Sequence, residues 1–120
     1  MSSAAFRPGG RVLGQGVLTT SFAIIAGPVP AGSSVRLAAV IFTGVASAST
    51  VSYGVGKSGS TPGTDATLQG KGIPIGASGD LTSTIDCTEL SEILLGPGDY
   101  VTAKAGNAAS VSYLVSGEVL

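Results

Sequence analysis

Short runs of β-branched and other apolar residues, each cut off by a cluster of glycine, proline, serine or aspartate, recur along this chain from Arg11 to Val119. No segment holds the period of an amphipathic helix. Val51, Tyr53 and Val55 instead alternate with small or polar residues, the two-residue period of a strand. The spacing of the breakers is that of an all-β sandwich or barrel. It predicts strands over Arg11 to Leu18, Ser21 to Ala26, Ser34 to Thr43, Ser49 to Gly56, Ala66 to Gln69 and Gly72 to Ile75. Further strands follow over Leu81 to Asp86, Glu92 to Leu95, Tyr100 to Ala105 and Ser110 to Val119.

The breakers carry their own chemistry. Gly27-Pro28-Val29-Pro30-Ala31-Gly32 cannot continue a ladder, because proline lacks the donor and Gly32 can take positive φ, so the chain reverses there. Gly96-Pro97-Gly98-Asp99 does the same between two apolar runs, and Lys57 to Asp65 reads as a longer exposed loop. Thr88-Glu89-Leu90-Ser91 is long enough for one helical turn only. In the run Val35 to Phe42, apolar residues switch parity near Val40, the mark of a bulge or of a strand buried on both faces.

At 120 residues the chain suits one domain with a two-layer core: a β-sandwich over residues 11–120, preceded by an arm over residues 1–10. Met1 to Gly10 is small, polar and interrupted by Pro8, so it reads as an arm rather than as a signal peptide. The uncharged stretch from Leu37 to Gly56 has the length of a membrane span, yet its alternation reads as two strands and a turn.

Composition narrows the chemistry. The chain has six basic and seven acidic residues, no His and no Trp. Without His, a Ser-His-Asp triad is impossible and the usual proton shuttle is missing. A formal net charge of −1 argues against a nucleic-acid or anionic-membrane partner held by bulk electrostatics. Cys87 is the only cysteine; its acidic neighbours Asp86 and Glu89 disfavour a thiolate, so it reads as a packing residue.

Several segments imitate functional motifs. Gly54, Gly56 and Gly59 spell GxGxxG, and Gly56-Lys57-Ser58 resembles the end of a phosphate loop. Both motifs need a helix next, whereas Gly59-Ser60-Thr61-Pro62-Gly63 follows. Asp86, Glu89 and Glu92 form the densest acidic group without a recognisable ligand loop, so a solvated face is the default. Tyr53, Tyr100 and Tyr113 lie in strand-like runs, where rings pack on cross-strand neighbours. No catalytic, cofactor or metal site is assigned.

The succession from Ile24-Ile25 to Val29-Pro30-Ala31-Gly32, then Val35 to Ile41 and Thr50-Val51-Ser52-Tyr53, resembles small virion proteins of tailed bacteriophages with a VPAG turn between their first strands. Leu94-Leu95-Gly96-Pro97-Gly98-Asp99-Tyr100-Val101 and Ala109 to Tyr113 continue the likeness in order, over about Leu18 to Leu120. Pro28 and the Gly9-Gly10 opening depart from it. The resemblance implies a jelly-roll-like β-sandwich that assembles as a trimer on capsids, necks or tails, with no catalytic residue to carry over.

Association also follows from the residues, since a β chain this poor in charge has little to oppose contact through its edges and faces. The expectation is a non-enzymatic virion structural protein, a capsid decoration or cement protein that bridges subunits of the major capsid protein and pairs with copies of itself. A neck, tail or fibre-base component is the runner-up, and a carbohydrate-binding adhesion module is the third reading. Candidate assembly contacts are Phe6 and Arg7 in the arm, Arg11 at the start of the first strand, and Phe42 and Tyr113 on later strands.

Overall fold

Strand pairing in this chain is nested. A computed structural model describes residues 10–63 and 67–120, in which the elements are β1 (Gly10–Val17), β2 (Ala23–Ala26), β3 (Val35–Gly44), β4 (Ser49–Gly56) and β5 (Thr67–Ile75). They continue with β6 (Thr84–Asp86), β7 (Leu94–Leu95), β8 (Tyr100–Ala105) and β9 (Val111–Val119). A 3-10 turn, Thr88–Leu90, stands between β6 and β7. β1 pairs with β9, β2 with β8, β3 with β6 and β7, and β4 with β5, every pair antiparallel. This long folded-back ribbon is then rolled, so that β9 also joins β3 and β8 joins β4.

Two packed sheets result, β1-β9-β3-β6 with β7 beside the start of β3, and β2-β8-β4-β5. With the two-residue β7 set aside, this is the strand order of a jelly roll, an antiparallel β-sandwich as the sequence predicts. The uncharged stretch Leu37 to Gly56 is the pair β3 and β4 with its connecting turn. No helix among the described residues is long and apolar enough to cross a membrane.

The core forms where the inner faces meet. Leu37, Val40, Phe42, Val51, Val101, Val111 and Val115 are fully shielded from solvent. The parity switch in β3 is a bulge between Leu37 and Ala39: Val35 and Leu37 precede it, Val40 and Phe42 follow it, and all four point inward. Phe42 was a candidate assembly contact and is corrected here. Its ring is fully buried and tilts against Tyr53 with centroids 5.5 Å apart. Burying a side chain of that size stabilises the fold by about 1.5–3 kcal/mol.

Each tyrosine sits across from a glycine on the neighbouring strand: Tyr53 from Gly70, Tyr100 from Gly56 and Tyr113 from Gly16. A Cβ on Gly56 or Gly70 would overlap the ring, so the missing side chains are the space in which the rings lie. Gly54 and Gly56 of the apparent GxGxxG are thus β4 residues, and Gly59 belongs to the tight turn after them, closed by the Ser60 N–H donating to the Lys57 carbonyl at 3.0 Å. Gly32, at φ +80°, occupies the third position of the Pro30–Ser33 turn, where a side chain would be strained; the Ser33 N–H donates to the Pro30 carbonyl across it.

Some element bounds differ from expectation. The strands predicted from Ala66 to Gln69 and from Gly72 to Ile75 run as one, β5, with register shifts opposite Tyr53. Leu81, expected in a strand, is fully exposed in the turn before β6. Gly10, assigned to the arm, opens β1, and the rest of the arm, with Phe6 and Arg7, lies outside the described residues.

Candidate assembly surface

The outer face of the β1-β9-β3-β6 sheet is built from the residues that alternate with its core positions. Reading across the strands, its rows are Glu118, Arg36 and Leu94; Val12, Ser116 and Ala39; Gln15, Leu114, Ile41 and Asp86; and Val17, Ser112, Thr43 and Thr84. Small hydroxyl and methyl side chains alternate with larger apolar ones on this face. Val12 and Val17 are more than half exposed, at 54% and 53%, beside the exposed Leu114. The one salt bridge among the described residues joins Arg36 to Glu118 at 3.3 Å across β3 and β9, half in solvent, where such a pair contributes about 0.2–1 kcal/mol.

The four sheet edges differ in how they are protected. β2 has four residues, β6 three and β7 two, while β5 carries Lys71, Pro74 and its register shifts. β1 has eight residues, no proline, and Arg11 as its single charge. Gly14 lets its inner side approach β2, for a Cβ there would overlap the Ile25 carbonyl. Its far side forms no backbone ladder among the described residues.

Arg11 is exposed near the start of β1. Tyr113, half-buried, lies toward the other end of the same ladder, packed on the core over Gly16. These two candidates therefore share the β1 and β9 edge, whereas Phe42 belongs to the interior. Val12, Val17 and Leu114 were not anticipated. The signal for them was the adjacent pair Val12-Leu13, since neighbouring apolar residues in a strand must face opposite sides.

On the opposite edge stand Asp86, Glu89 and Glu92, all exposed. Glu89 accepts a hydrogen bond from the Tyr53 hydroxyl, which ties the 3-10 turn of one sheet to β4 of the other. Burial, then that bond, pushes the Tyr53 hydroxyl far above the ordinary tyrosine range. Burial pushes the Cys87 thiol from 9.0 up to about 12, against the smaller opposing effect of the Tyr53 hydroxyl. Glu92 holds φ +70°, a conformation glycine would take without strain. Among the described residues no three His, Cys, Asp or Glu side chains converge to hold a metal ion.

A cleft of about 250 Å³ opens between β5 and β7 beside Val55, Lys57 and Ile93. Two of its polar side chains, Gln69 and Asp99, are engaged within the chain. Gln69 accepts the Val55 N–H at 3.3 Å, and the Asp99 carboxylate accepts the Ser58 and Gly96 N–H groups at 3.2 and 3.0 Å. Asp99 thus staples the Gly96–Asp99 turn to the loop after β4. The chain matches no family model, no curated protein and no solved structure.

Proposed function

We propose that this chain is a non-enzymatic structural protein of a tailed-bacteriophage virion, a capsid decoration protein that bridges neighbouring subunits of the major capsid protein as a homotrimer. The observation that carries the reading is the outer face of the β1-β9-β3-β6 sheet, whose charges are Asp86 and the Arg36–Glu118 pair, bordered by the β1 edge, which has no backbone ladder on its far side among the described residues. Such a face loses little desolvation energy on contact and gains the burial of Val12, Val17 and Leu114. The placement on a virion rests on the resemblance of the VPAG turn and of the strands around it.

The three tyrosine rings support a structural role over glycan binding, since Tyr53 and Tyr100 are buried and Tyr113 is turned onto Gly16. Quantitative mass spectrometry of purified virions that encode this chain tests the reading. A copy number commensurate with the major capsid protein is expected. A few copies per particle would move the protein to the neck or tail, and its absence from virions would overturn the reading.

A further inference from the structure

We propose that copies of this chain join head to tail, the β1 edge of one copy lying against the β6 and β7 edge of the next. This deepens the trimer reading and rests on it. A three-fold ring cannot be built from a self-complementary patch, which closes as a dimer; it needs two different patches that fit each other. The two ends of the β1-β9-β3-β6 sheet are such a pair.

Their charges are complementary. β1 carries Arg11 alone, while the other edge carries Asp86, Glu89 and Glu92 with no basic residue between Thr84 and Leu95. Their levels correspond as well. Arg11 pairs with Gly117 and Gly117 with Leu37, whose N–H and carbonyl bond Ile93 and Glu92 at 2.9 and 2.8 Å. Arg11 and Glu92 therefore stand at opposite ends of one row across the sheet. Gln15 and Asp86 end a second row, through Leu114 and Ile41.

Direction agrees too. Three antiparallel steps separate β1 from β6, so the two strands run oppositely. A copy set beside the first without inversion presents β1 antiparallel to β6 and continues the ladder across the junction. The left-handed backbone of Glu92 holds a carboxylate on this edge at a position better suited to glycine, the kind of local strain found at functional positions.

Two experiments test the contact. Charge reversal by Arg11→Glu or Glu92→Arg should shift the assembled protein toward monomer in size-exclusion chromatography with light scattering, and the double variant should restore the assembly. Under mild oxidation, an equimolar mixture of Gln15→Cys and Asp86→Cys proteins should give disulfide-linked dimers, while either variant alone stays unlinked. Cys87 is buried and does not compete. Links formed by Gln15→Cys alone would overturn the proposal in favour of β1 against β1. A trimer that never cross-links in the mixture would overturn the contact and leave the trimer standing. A protein monomeric at every concentration would overturn both, while the virion copy number would still decide the function.

Discussion

Glycine does structural work in this chain by what it leaves out. At Gly56 the missing Cβ is the room in which the Tyr100 ring lies, and the Tyr100 hydroxyl then meets the Ser60 hydroxyl at 2.9 Å. Gly56→Ala should lower stability by about 1–3 kcal/mol through overpacking. In a Tyr100→Ala background the same change should cost clearly less, and a double-mutant cycle in urea reads the coupling. Phe42→Ala should cost about 3–5 kcal/mol because its ring is fully buried, with the oligomeric state of the folded fraction unchanged. Alkali acts on the interior through Cys87 and Tyr53. The unfolded thiol loses its proton near pH 9.0 and the folded thiol only near about 12, so its contribution to stability is complete below pH 9.0 and is lost as pH rises toward 12. Tyr53 acts in the same direction. Denaturation midpoints measured between pH 8 and pH 11 should fall steadily, and less so for Cys87→Ala.

Among the elements, β9 carries the most, because it is the inner strand between β1 and β3. Removing Glu118 to Leu120 should cost about 1–2 kcal/mol, through the Arg36 ion pair, the Val119 pairing and the Leu120 N–H bond to the Ser34 carbonyl. Truncation after Ser112 should abolish cooperative unfolding by circular dichroism, since β1 and β3 would lose their shared partner. β4 and β8 have the bounds their breakers predict, and the bulge in β3 was legible as a change of parity. β5 was not legible as one strand. Gly70 and Gly72 look like breaks in the sequence; in the fold Gly70 underlies the Tyr53 ring and Gly72, at φ +62°, donates its N–H to the Ser52 hydroxyl at 2.9 Å. Both are tertiary facts that no local pattern encodes. The inward place of Phe42 follows from the bulge, yet the choice of which set faced the core required the second sheet. Arg11 could be read as the one charge of the first strand, whereas its place at a sheet edge and the row that ends at Glu92 depend on strand order.

The molecule as a whole pairs its first strand with its last and its second with its next to last. Folding must therefore close long loops before most of its ladders can form. Stopped-flow refolding should proceed over milliseconds to seconds, as for other folds dominated by distant pairing. The same nesting sets how the protein bears a load. Gly10 and Glu118 are direct neighbours on β1 and β9, so the two ends of the sandwich emerge side by side. A force pulling these ends apart acts along the hydrogen bonds of the β1 and β9 ladder and unzips them one after another. A force running along the strands must instead shear a whole ladder at once. The sandwich is thus weak when stretched between Gly10 and Glu118 and stiff when loaded along its sheets.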